Sequence, residues 1–225
     1  MAKRRLPVRA LIGWMRSKGF KVYTRPYELN ILGVRSSSTI PNKFDDAIYV
    51  FYKNDNGKWV VHGYPATTDT GTYWLKNPMK PSGSALLKEG QYVDAYKLGT
   101  HSGYAALQQK GGKVTVYRDY DRDAVLDFNN GREETGYFGI NIHRAKSSGV
   151  TQEVDRYSAG CQVFQSADDY AEFMNLVRDH ENRYGNKFTY SLIDQRAFNR
   201  ASRRYLLYLS IALGIYYGAK RLKAI

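Results

Sequence analysis

Two side chains of this 225-residue chain are spaced to act as a nucleophile and its base. Cys161, the one cysteine, follows the small-residue turn Ser158-Ala159-Gly160 and precedes Gln162-Val163. His143 closes the run Gly139-Ile140-Asn141-Ile142-His143, eighteen positions upstream. A thiol attacks carbonyl carbon as the thiolate, so at neutral pH it needs a neighbouring base, usually an imidazole, to take its proton. Ala159 and Gly160 leave room for a substrate carbonyl. Backbone N–H groups of Gly160 and Cys161 then stand where an oxyanion would form. The chemistry open to such a pair is acyl transfer through a thioester. The competing reading of a lone cysteine is an inert core residue.

For the two groups to meet, one strand must end at His143, a polar loop must return the chain, and the next strand must begin at Cys161. Other strands are expected at Tyr27 to Val34, Ala47 to Lys53, Lys58 to Tyr64, Tyr92 to Leu98, Val114 to Tyr117 and Tyr137 to His143. The last is expected at Lys187 to Ile193. Asn54-Asp55-Asn56-Gly57 is hairpin chemistry, because Asn and Gly accept positive φ. One helix should follow the cysteine. Ser166 caps it, Tyr170, Phe173, Met174 and Val177 recur at helical spacing as a core stripe, and Gly185 ends it.

Ser158-x-Gly160-Cys161 after a strand-borne His143, with Gly139-Ile140-x-Ile142 leading in, resembles the active-site signature of the L,D-transpeptidase catalytic domain. The likeness is specific over Tyr137 to Phe164. It implies an α+β, β-rich fold, a mixed β-sandwich with one prominent helix after the nucleophile. It further implies Cys161 as nucleophile, His143 as general base, Ser158 as a supporting hydrogen-bonding residue and Gly160 in the oxyanion turn. The substrate would be a peptidoglycan stem peptide, its acyl group passed to an amine or to water. No metal or other cofactor is expected. The chain departs from the family pattern at Arg144, Ala159 and Val163, where the substrate carboxylate would otherwise find its contacts. Arg144, able to grip a carboxylate bidentately, is the expected replacement or else a surface charge. Tyr157 is expected beside it as a second substrate contact.

The remaining histidines, His62, His101 and His180, read as structural or surface residues. Asp119, Asp121, Asp123 and Asp127 mimic a calcium loop but lack its central Gly and terminal Glu, so a solvated turn is expected there.

Composition sets the context. A net charge of +13 calls for an acidic partner: nucleic acid, anionic lipid or a cell-wall polymer. No nucleic-acid motif accompanies the charge, so nucleic acid is not the expected main partner. Residues 1–24 form a basic arm, read as a solvated tail with a membrane- or partner-binding arm as the alternative. Its apolar stretch Ala10 to Met15 is too short for a secretory signal. Residues 25–194 form the catalytic domain. In 195–225, Tyr205 to Ala219 lacks any charge and is flanked by Arg204 and Lys220. As a helix it would span about 22 Å against about 30 Å of bilayer hydrocarbon, a short anchor or a buried helix. These features suit a bacteriophage or prophage lytic protein, in the virion or the host cell envelope. A membrane-attached virion component on the same fold with a disused site is the alternative.

Overall fold

The computed structural model describes residues 6–128 and 132–196. It is an α+β fold dominated by strands. In chain order these are α1 (Val8–Ser17), β1 (Asn30–Arg35), β2 (Asp46–Lys53), β3 (Trp59–Thr67), α2 (Thr72–Lys76), β4 (Ser84–Leu87), β5 (Gly90–His101), β6 (Tyr104–Gln108), β7 (Val114–Asp119), β8 (Glu133–Gly136), β9 (Ile142–Arg144), β10 (Gln162–Phe164), α3 (Ala167–Tyr184) and β11 (Phe188–Asp194). A single 3-10 turn, Asp155–Tyr157, lies between β9 and β10.

Eight strands form one mixed sheet that closes on itself in the order β1-β11-β5-β6-β9-β10-β3-β2. Closure leaves no free edge for another chain to pair with. A second sheet, β4-β7-β8, is antiparallel throughout. In the large sheet the pairings β1–β11 and β9–β10 are parallel. Parallel neighbours need a long connection, and between β9 and β10 this is the polar loop expected from the sequence.

The hairpin at Asn54–Gly57 forms as its residues dictate. Asn54 Oδ1 accepts the N–H groups of Asn56 and Lys58, and Gly57 has φ +72°. In α3, Ser166 Oγ accepts the Asp169 N–H at 3.3 Å, and Gly185 follows the last turn with φ +80°. The stripe Tyr170, Phe173, Met174 and Val177 is buried against Tyr64, Leu107, Ile142 and Phe164 in the main core.

The N-terminal arm is not a solvated tail. Leu11 and Met15 of α1 are fully buried against Leu32, Val34, Tyr49, Phe51 and Ile193, on strands β1, β2 and β11. Burying each such side chain contributes about 1.5–3 kcal/mol, which docks the helix onto the sheet and leaves its basic residues outward. Among the described residues no helix is long and apolar enough to cross a membrane. The apolar stretch Tyr205 to Ala219 lies outside the described residues.

A charged group sits inside. The Arg35 side chain is inaccessible to solvent; its guanidinium meets Asp69 Oδ1 at 2.7 Å, the carbonyls of Leu87 and Thr68, and the ring of Phe128. Unpaired, such a charge would cost the domain about 3–5 kcal/mol; with each guanidinium nitrogen engaged it ties β1 to the turn after β3 and to β4.

Candidate active site

Strand register sets the two expected residues on one face of the sheet. Across β9 and β10, Ile142 faces Gln162 and His143 faces Val163. Continued by one residue, the register sets Asn141 opposite Cys161. Paired residues share a face and alternate ones return to it, so Cys161, Asn141 and His143 lie on the same side of the sheet.

The turn before the thiol is held by Ser158, which is fully buried. Its hydroxyl donates to the Cys161 carbonyl at 2.8 Å and accepts the Gly160 N–H at 3.1 Å. Gly160 has φ +123°, and a Cβ there would lie 2.0 Å from the Ala85 carbonyl oxygen. Only glycine fits, on both conformational and steric grounds. Because the Gly160 N–H is committed to Ser158, it is not the free oxyanion donor the sequence suggested. The Cys161 N–H is the one that remains.

Cys161 itself is half-buried, not sealed in the core. It packs against the buried cluster of Phe44, Val154 and Val163. Tyr157, at the end of the 3-10 turn, packs against the same cluster. Burial pushes the thiol up to about 11, against the lesser opposing effect of backbone hydrogen bonding at Asn141. The thiol proton rests on the Gly139 carbonyl, 3.5 Å from the sulfur.

His143 is buried, and burial is the main reason its pKa falls to about 4; the nearby His101 adds to the fall. Its Nδ1 lies 2.9 Å from the Arg144 carbonyl, which can only accept, so Nδ1 carries the proton and Nε2 the lone pair. Tyr104 braces this arrangement, donating to the same carbonyl at 3.1 Å and standing 3.3 Å from Nδ1. At rest the site therefore holds a neutral thiol and a neutral imidazole, not an ion pair.

Beneath the turn is a residue whose part the sequence did not reveal. Gln162 is fully buried; its Nε2 donates to the Gly160 carbonyl at 3.2 Å and its Oε1 accepts the Tyr190 hydroxyl at 2.7 Å. It thereby ties the turn before the thiol to β11 across the interior. His101, read as a structural or surface residue, is also at the site. Its ring stacks on His143 with centroids 4.5 Å apart, and Asn141 Nδ2 is 3.2 Å from its Nδ1.

Arg144 is not brought to the thiol. Strand alternation turns it away from the face of His143, and its guanidinium lies over the Tyr104 ring at 4.5 Å. There it lines a groove of about 250 Å³ with Tyr170, Asn175 and Arg178. The other two histidines are structural. His62 Nδ1 pairs with Glu172 at 2.7 Å, and His180 bridges the Leu29 N–H and the Lys187 carbonyl.

The acidic run is not wholly a solvated turn either. Asp119 is fully buried at the end of β7, accepts the Asp127 N–H at 3.1 Å, and is raised to about 7 by burial and by its acidic neighbours. Asp121 and Asp123 are exposed as expected. Among the described residues no group of three or more His, Cys, Asp or Glu is arranged to hold a metal ion.

Comparison with protein-family models, with curated proteins and with solved structures found no match for this chain.

Proposed function

We propose that this chain is a cysteine acyltransferase or peptidase of the L,D-transpeptidase type, acting on peptidoglycan stem peptides through a Cys161 thioester with His143 as base. The observation that carries the reading is the parallel β9–β10 register, which puts the only thiol and a correctly protonated imidazole on one face. The net charge of +13 suits an acidic wall polymer as partner.

The chemistry follows from the neutral resting pair. As the sulfur attacks the carbonyl carbon, the thiol proton leaves the Gly139 carbonyl for His143 Nε2. The carbonyl becomes an oxyanion beside the Cys161 N–H. Collapse breaks the C–N bond, and the amine departs with the proton from His143. Water or a second amine, deprotonated by His143, then attacks the thioester, breaks the C–S bond and restores the thiol. With the thiol near 11 and the imidazole near 4, proton transfer accompanies the attack and does not precede it. A basic lytic protein of a bacteriophage, working at the host envelope and hydrolysing more than building, is the setting this reading favours.

The raised thiol is also what favours a second reading, a virion component with a disused site on the same fold. Purified protein and its Cys161→Ser variant, incubated with isolated peptidoglycan, separate the two. The enzyme reading expects new stem-peptide products from the first protein alone. Identical muropeptide profiles from both would overturn it.

A further inference from the structure

Two neutral imidazoles stacked face to face need not do the same thing, and their hydrogen bonds fix opposite tautomers. Asn141 Oδ1 accepts the backbone N–H of Gln109 at 3.0 Å, and a backbone N–H can only donate. The amide is therefore oriented, with its NH2 end towards His101 Nδ1 at 3.2 Å. An NH2 group can only donate, so Nδ1 of His101 is the acceptor and its ring proton sits on Nε2. His143 is the reverse, with its proton on Nδ1 and its lone pair on Nε2. One ring can take a proton, and the other can present an N–H.

The sheet places that second ring with the site. His101 pairs with Tyr104 and Gly99 with Ala106 across the β5–β6 hairpin, while Leu107 pairs with Ile142 across β6 and β9. By alternation His101, Ala106, His143, Asn141 and Cys161 fall on one face. His101 is only half-buried, so a bound substrate can reach it. Burial also lowers its pKa, which keeps the ring neutral. The site meanwhile lacks a second donor beside the Cys161 N–H, because Ser158 consumes the Gly160 N–H.

We propose that His101, through its Nε2–H, is the side-chain half of the oxyanion hole, acting with the Cys161 backbone N–H. This rests on the reading of Cys161 as the nucleophile. His101 does not act as the general acid, since a neutral ring that gave up Nε2–H would become an imidazolate. It donates a hydrogen bond whose strength grows as the carbonyl oxygen gains charge.

The test compares wild type, His101→Ala and His101→Gln in two reactions. One is acylation of Cys161 by a muropeptide with a tetrapeptide stem, followed by intact mass. The other is alkylation of Cys161 by iodoacetamide, which forms no oxyanion. His101→Ala should slow acylation by about 10²–10³-fold while alkylation across pH stays within about two-fold. His101→Gln, whose side-chain NH2 can stand in for Nε2–H, should recover at least about ten-fold of the loss; because it retains a polar side chain there, it also guards against a misfolded alanine variant. Acylation of His101→Ala at the wild-type rate overturns the inference. So does equal slowing of both reactions, which would make His101 a brace for His143. If wild type itself is never acylated, the nucleophile reading falls and this inference falls with it.

Discussion

Gln162 accepts the Tyr190 hydroxyl at 2.7 Å in the interior, on the opposite face of β10 from Cys161. That bond fixes the glutamine so that its Nε2 can hold the Gly160 carbonyl, and through it the turn that aims the thiol. Replacing Gln162 with Leu would keep the volume but remove one of the turn's anchors and leave the Tyr190 hydroxyl without its partner. The expected loss is about 1–3 kcal/mol of stability. Since Gln162 is remote from substrate, turnover of the folded fraction should fall with KM little changed. Urea unfolding and steady-state kinetics check the two parts; unchanged turnover would relieve Gln162 of any positioning role.

Gly160 makes a sharper case. An added Cβ meets the Ala85 carbonyl at 2.0 Å while the backbone holds φ +123°. Strain and overpacking act together, so Gly160→Ala should lose about 3 kcal/mol or more. A melting temperature within a degree or so of wild type, set against the several degrees that about 1 kcal/mol shifts a small domain, would contradict the described turn.

The neutral resting pair has a signature in pH. A thiol near 11 exposes only a small thiolate fraction at neutrality, so alkylation of Cys161 should rise about ten-fold per pH unit until about pH 11. His143 must be neutral to accept the proton. Its lowered pKa keeps it so down to about 4, and the acid limb of kcat/KM should fall there and not near the ordinary 6.5. An alkylation plateau from mildly acidic pH upward would instead mean a thiolate–imidazolium pair.

The parts of this site that were legible in the sequence are the local ones. Gly160, Cys161 and His143 stand in short patterned runs, and the α3 stripe and the Asn54–Gly57 hairpin each carry their own signal. The strand expected over Tyr137 to His143 is shortened to β9, because Phe138 and Gly139 both give their N–H groups to Gln109 Oε1 and Gly139 adopts φ +70°. Nothing local announces that a distant glutamine side chain will capture them. His101 was missed for a similar reason. Ser102 and Gly103 both have positive φ, making a two-residue hairpin turn, and it is the pairing of β6 with β9 that carries His101 to His143. A Ser-Gly pair between two apolar runs was the available clue. The side that Arg144 takes was not legible either, because alternation along a three-residue strand decides it, and its neighbour His143 takes the side of the thiol. The α1 helix looked like a tail because its two buried residues, Leu11 and Met15, sit among basic ones that face outward.

The thioester is the species on which everything turns. Wild-type protein mixed with a tetrapeptide-stem muropeptide, quenched in acid and digested, should yield a Cys161 peptide heavier by the acyl fragment, and the Cys161→Ser protein should yield none. A wild-type Cys161 peptide that stays unmodified at every quench time, under conditions where stem peptides are nevertheless cleaved, would contradict covalent catalysis by this thiol.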